Sequence, residues 1–224
     1  MAQVHIDCRV RAPYVAFESR SEAGEKLAEY VKAEQAPDVE VLAVPRGGIP
    51  VSKALARAFG TSPGLVLTRK LPIPDYSEAG FGAVSLETGL VLNDDMVRRL
   101  HISSEQIDDI VEEVRGELRR RAREYGFEEN ERKLTGKRVF LVDDGLATGY
   151  TMIAAAQEVR AQDPREVNLA VPVSPADSIE GAEKCFDNIY CLIVQTSLPF
   201  AVANFYRRFP DLSDEQVRRE LGIA

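Results

Sequence analysis

Val139-Phe140-Leu141-Val142-Asp143-Asp144-Gly145-Leu146-Ala147-Thr148-Gly149-Tyr150-Thr151 is the stretch on which the reading of this chain turns. Its apolar start reads as a buried strand that stops at two adjacent carboxylates. A glycine-containing turn follows, then a helix from about Tyr150 to Ala161. Each part has a physical use. The beginning of a helix offers unpaired backbone N–H groups and the positive end of a dipole, so an anionic phosphate fits there without a lysine. Gly145 and Gly149 let the backbone close around such a group. Thr148 and Thr151 can add hydroxyl donors. Asp143 and Asp144 can accept hydrogen bonds from the vicinal hydroxyls of a sugar, or hold Mg²⁺ directly or through water. Two other phosphate motifs fail: a Walker A loop needs Gly-Lys before Ser or Thr, but Tyr150 stands in the lysine's place, and the three-glycine dinucleotide fingerprint is absent.

Outward from this stretch, strands alternate with helices. Residues 21–35 read as a helix with Leu27, Ala28 and Val31 on one face, ended by Pro37-Asp38. Val39 to Val44 reads as a strand, Pro45-Arg46-Gly47-Gly48 as a turn, and Ile49 to Phe59 as a helix. Gly64 to Arg69 reads as a second strand. Residues 70–93 hold Pro72, Pro74, Gly80, Gly82 and Gly89 with two short β-like runs. Ser103, with Gln106 three residues on, opens a long charged helix to about Tyr125. Its arginines (Arg115, Arg119, Arg120, Arg121, Arg123) alternate with glutamates at helical spacing, which predicts a solvated, ion-paired face. Arg138 to Val142 is a strand, Val167 to Val171 another, Pro175 to Lys184 a helix, Ile189 to Val194 a strand, and Ser213 to Leu221 a capped helix. The pattern predicts an α/β fold, a mostly parallel central sheet flanked by helices, whose buried strands are near-continuous apolar runs. Ligands of such sheets bind beyond the carboxyl ends of strands, here after Val44, Arg69, Val142, Val171 and Val194.

With 224 residues and 45% hydrophobic content the chain suits one domain with a full core. A net charge of -8 repels nucleic acid and anionic membrane, so a phosphate must be held by local features. Cys8, Cys185 and Cys191 are an odd, sparse set that fits a reducing cytoplasm. With only His5 and His101 and no C-x-x-C pair, no zinc spacing exists. The charged residues Asp7, Arg9 and Arg11 exclude a signal peptide's apolar stretch, and no apolar run approaches the roughly 20 residues that cross a bilayer.

On the residues quoted first, the sequence resembles the type I phosphoribosyltransferase family: an apolar strand, two acids, then a Thr-Gly-x-Thr phosphate loop. The order of elements is similar across about residues 20–200. The resemblance implies a single domain over 1–224, with a core of about 20–195 and a hood from the N-terminal segment and about 196–224. It implies that Asp143 and Asp144 bind the ribose hydroxyls of phosphoribosyl pyrophosphate, with Mg²⁺ as cofactor, and that Gly145 and Ala147 to Thr151 (Thr148, Gly149 and Tyr150 included) wrap the 5-phosphate. Pro45, Arg46, Gly47 and Gly48 resemble the family's pyrophosphate loop, which often has an unusual peptide geometry; two glycines let a pyrophosphate approach the backbone and Arg46 can counter its charge. Arg69 and Lys70 stand where the family has a basic residue facing the departing pyrophosphate. Enzymes acting on 6-oxopurines usually carry Asp where this chain has Ala147, so the acceptor site looks more like the adenine and orotate branches. A branch whose acceptors are poorly assigned shares the Pro-Arg-Gly-Gly turn.

Residues 71–93, with Tyr76, Glu78 and Phe81, stand where the family has a flexible loop; a water-excluding lid and a static surface hairpin both fit. Phe200, Phe205 and Tyr206 could stack on an acceptor ring or pack the small lobe. Cys191 reads as core. Three functions remain open. One is transfer of ribose 5-phosphate to a nitrogenous base with release of pyrophosphate, with Asp143, Asp144, Arg46 and Lys70 as catalytic residues. The second is a non-catalytic regulator that binds phosphoribosyl pyrophosphate or a nucleotide, and the third is hydrolysis or phosphorolysis of a related sugar phosphate. The expected setting is a cytoplasmic homodimer with a small-molecule acceptor, acting on neither nucleic acid nor membrane.

Overall fold

The computed structural model describes residues 1–6, 15–32, 38–74, 76–127, 132–196 and 199–222, with the backbone alone for 76–78. A six-stranded parallel sheet is built from β1 (Gln3–Ile6), β2 (Val39–Ala43), β3 (Gly64–Leu65), β7 (Arg138–Val142), β8 (Glu166–Pro175) and β9 (Asn188–Gln195), in the order β1-β9-β8-β7-β2-β3. Parallel strands need both faces covered, and the side chains alternate accordingly. Val41, Phe140, Val142, Ala170 and Leu192 face α1 (Arg20–Val31) and α2 (Gly48–Phe59), where Leu27, Val51, Leu55 and Phe59 meet them. Leu42, Val139, Leu141, Leu169 and Cys191 face the opposite way, onto α5 (Tyr150–Arg160) and α6 (Ala176–Ala182) through Met152, Ala155, Val159 and Ile179. The expected fold class is therefore the observed one, and Cys191 is a core residue, as expected.

A second sheet of β4 (Thr68–Ile73), β5 (Tyr76–Ser85) and β6 (Leu90–Leu92) is antiparallel. It packs against α5 and against α4 (Ser104–Glu124), which turns Val111, Val114, Leu118 and Ala122 inward over Leu71, Phe81 and Val84. The outer face of α4 carries ion pairs, Arg119 to Glu112 among them, as its charge pattern predicts. Ser103 and Ser213 each close a capping box, on α4 and on α7 (Asp214–Leu221).

Several expectations need correction. The strand read over 64–69 is two strands in two sheets. Val66 N–H still donates to Ala43 O at 3.0 Å, but Leu67 O accepts from Leu86 N–H at 3.1 Å, so the chain changes partner between the two residues. The first helix stops at Val31, because Lys32 turns left-handed (φ 52°) and its N–H returns to Ala28 and Glu29; residues 33–37 lie outside the described residues. β8 runs past Val171 to Pro175. Pro172 lacks an N–H and skips one pair of the ladder, yet pairing resumes at Val173 with Ile193. A short helix, α3 (Asp94–Leu100), was not anticipated, although Asn93 caps it and Asp94, Asp95, Arg98 and Arg99 suit its dipole. Residues 3–6 of the N-terminal segment form the edge strand β1 beside β9, whereas 15–17 pair with 204–206 in the C-terminal segment. Among the described residues no helix is long and apolar enough to cross a membrane.

Candidate active site

β2 and β7 are neighbours in register, Ala43 opposite Val142, so their carboxyl ends release two loops side by side. Val44 N–H donates to Val142 O at 2.9 Å and locks the two ends together. From β2 the loop Pro45-Arg46-Gly47 enters α2, and the Pro45–Arg46 peptide is cis. From β7 the chain gives Asp143 and Asp144. Glycine is required where the two loops meet: a Cβ on Gly47 would lie 2.1 Å from Asp144 Oδ2, and one on Gly48 would lie 2.4 Å from Val142 O.

Beyond the acids, Leu146 N–H donates to Val173 O at 2.8 Å, so the overhanging end of β8 backs the loop. Ala147 and Thr148 are exposed, Tyr150 and Thr151 half-buried. Gly149 is left-handed (φ 82°, ψ -18°) and begins α5 with no side chain capping it. The first-turn N–H groups of α5 are thus available to an anion that the exposed Ala147–Thr148 turn can receive. Ser178 Oγ donates to Ala147 O and steadies the turn from α6.

The two carboxylates differ. Asp144 Oδ2 accepts from Arg20 Nε at 2.6 Å, its O accepts from the Tyr206 hydroxyl at 2.6 Å, and its N–H donates to Asp143 Oδ1 at 2.8 Å. Asp143 Oδ2 has no partner among the described residues. Burial first, then the Asp144 charge, hold the Asp143 carboxyl well above the usual carboxylate range, against the pull of the Asp144 N–H, Arg20 and Lys70. Burial also raises Asp144, less strongly, because Arg20 opposes it.

The structure does not treat the expected basic residues alike. Lys70 is exposed, and its charge reaches Asp143. Arg69 is next to it on β4, where successive side chains point to opposite faces, and is paired with Glu117 of α4 at 2.9 Å. Arg46 is half-exposed with Nη1 3.8 Å from Asp214 of α7, a carboxylate that also accepts from the Tyr125 hydroxyl. Phe205 and Tyr206 pack in the core under α1, with Phe200 against Phe205; Ser197 and Leu198, beside Phe200, lie outside the described residues. The side chains of Tyr76 and Glu78 also lie outside them, as does Cys8. The other end of the small sheet is latched: Glu158 on α5 accepts from Ser85 Oγ at 2.6 Å and Thr88 N–H at 2.7 Å, and Gln157 Oε1 from Leu90 N–H at 2.9 Å.

Arg20 was missed from the sequence, and Tyr206 was named there for ring stacking or lobe packing but not for its bond to Asp144 O. Arg20 sits just after the capping Ser19 at a helix start, where a basic residue is unfavourable for the dipole, which is the one local signal it carried. Two cavities, of about 540 and 440 Å³, are lined by neither loop. The candidate site is placed by the rule for parallel sheets, at the loop ends beyond β2 and β7.

A family model described as a phosphoribosyl transferase domain matches residues 18–206. Two curated proteins from strains of Mycobacterium tuberculosis, each named "Putative phosphoribosyl transferase", are 37% identical over 201 residues, which is 90% of this chain and 45% of each of theirs. The chain thus spans less than half the length of these curated relatives. The crystal structure of TT1426 from Thermus thermophilus is similar with a TM-score of 0.74 and 34% identity, over 92% of this chain and 97% of that one.

Proposed function

Since the chain belongs to the phosphoribosyl transferase domain family, we propose that it transfers ribose 5-phosphate from phosphoribosyl pyrophosphate to a nitrogenous base or similar nitrogen acceptor. The observation that carries this reading is the meeting of Gly47 with Asp144, which brings the glycine-containing loop against the acid pair that precedes the uncapped start of α5. The first-turn amides of α5, with Thr148 and Thr151, receive the 5-phosphate. Asp143 accepts from the ribose hydroxyls. The Gly47–Gly48 backbone lies against the pyrophosphate, and Lys70 and Arg46 supply positive charge as it departs. The acceptor nitrogen forms a bond to the anomeric carbon while the bond from that carbon to pyrophosphate oxygen breaks, and the acceptor's proton leaves to solvent. The chain's contribution is positioning and electrostatics.

The two acids fit Mg²⁺ without a protein cage. Among the described residues no group of three or more His, Cys, Asp or Glu side chains could cage a metal. Mg²⁺ commonly takes one or two carboxylates and completes its shell with water and substrate phosphates. Asp143 and Asp144 would hold such an ion directly or through water, together with the substrate's phosphates. When bound, the ion would neutralise pyrophosphate charge.

The test measures pyrophosphate release with phosphoribosyl pyrophosphate and Mg²⁺ across a panel of purine and pyrimidine bases, beside the shift in melting temperature that the donor produces by mass action. Release with at least one base is expected. A donor-induced shift with no release from any base would favour the non-catalytic regulator, and the absence of both at millimolar donor would overturn the reading.

A further inference from the structure

We propose that Arg20 is a positioning residue of this site, fixing the Asp144 carboxylate in place beside Asp143 for the ligand. The inference rests on the donor-binding reading above. Three atoms of Asp144 are held within the protein. Its N–H goes to Asp143 Oδ1, its O to the Tyr206 hydroxyl, and its Oδ2 lies between Arg20 Nε at 2.6 Å and the space that a Gly47 side chain would fill. With its backbone and Oδ2 fixed, Asp144 keeps its Oδ1 in a set position beside Asp143.

Arg20 is itself held from the C-terminal segment. Its guanidinium carbon lies 3.6 Å from the centre of the Phe209 ring, and its Nη1 donates to Pro210 O at 2.7 Å. Tyr206 packs on Phe209 at 5.0 Å and reaches Asp144 from the same segment. The residues after β9 thus hold the acid pair through two contacts, one to the Asp144 side chain by way of Arg20 and one to its backbone. A buried arginine with a planar fork and an aromatic face beneath it is not replaceable by lysine at equal effect. This role makes the segment from Tyr206 to Pro210 part of the donor site although none of its side chains needs to touch the donor.

The experiment is a double-mutant cycle on donor affinity, read as the melting-temperature shift against the concentration of phosphoribosyl pyrophosphate with Mg²⁺. The proteins are the full chain, Arg20→Met, Asp144→Asn and both together. If Arg20 acts through Asp144, Arg20→Met weakens donor affinity about ten-fold or more, yet changes it less than about two-fold when Asp144→Asn is already present. Arg20→Lys, which keeps the charge but not the fork, falls between wild type and Arg20→Met and serves in the cycle should Arg20→Met fail to fold. Wild-type affinity in Arg20→Met, or losses that simply add in the double variant, would overturn the proposal while leaving the donor reading standing. A wild-type chain that binds no donor would bring down both.

Discussion

Gly47→Ala tests the junction of the two loops most directly. Gly47 has φ -62° and ψ -35°, an ordinary helical conformation, so alanine meets no backbone strain there. Were there room, the substitution would stabilise the protein by about 0.4–1 kcal/mol by restricting the unfolded chain. There is no room: the new Cβ would lie 2.1 Å from Asp144 Oδ2, about 1.3 Å inside the 3.4 Å at which ordinary contact begins. Two relaxations are open. Asp144 can swing away, but that breaks a buried pair with Arg20, at a cost of about 3–5 kcal/mol. The loop at 45–48 can shift instead, at about 1–3 kcal/mol for overpacking. The cheaper route wins, leaving a net loss of about 1–2 kcal/mol and a melting temperature lower by about 2–8 °C for a chain of this size. The shifted loop also withdraws the Gly47–Gly48 backbone from the donor. Differential scanning fluorimetry with and without phosphoribosyl pyrophosphate reads both effects. A Gly47→Ala protein that melts at or above wild type and keeps the full donor-induced shift would refute the reasoning.

Asp143→Asn is expected to move stability and binding in opposite directions. The folded-state carboxyl titrates above its ordinary value of 3.8, so the stability present below 3.8 is lost as pH rises through the raised folded value, a loss that the non-ionising asparagine avoids. The ligand-free melting temperature should rise while the donor-induced shift disappears; a lower ligand-free melting temperature would contradict the electrostatic account. Glu158→Gln addresses the latch on the small sheet. Burial alone would raise the Glu158 carboxyl, but hydrogen bonds from Ser85, Thr88 and Gly89 outweigh it and hold it below its ordinary 4.5. Its stabilising effect is therefore present above pH 4.5 and lost as pH falls through the lower folded value. At neutral pH, amide hydrogen exchange at Thr88 to Leu90 should quicken in Glu158→Gln, and unchanged exchange there would show that the carboxylate does not hold the turn.

Much of this was legible in the sequence, because the signals concerned are local. The mostly apolar runs at 39–44, 138–142 and 189–194 are largely buried strands, and two-sided burial leaves little polar alternation to confuse them. Asp143 and Asp144 between a strand and an uncapped helix mark a loop end whatever surrounds it. The capping boxes at Ser103 and Ser213 involve partners three residues apart and need no tertiary context. The same logic explains the errors. Nothing local separates Leu65 from Thr68, since the change of sheet is made by Ala43 and Leu86, neighbours in space alone.

What the sequence alone determined, then, is which residues can do chemistry and on which kind of turn they stand. What only the tertiary structure decided is how they divide the work. Arg69 and Lys70 are adjacent in the chain and alike in charge, but strand alternation sends one to Glu117 and leaves the other near Asp143. Asp143 and Asp144 look equivalent, yet Arg20, 124 positions from Asp144, hydrogen-bonds only the second. Charge and hydrogen bonding act over a few ångströms, and which groups come that close is set by packing between segments far apart in the chain, a relation that no window of sequence contains.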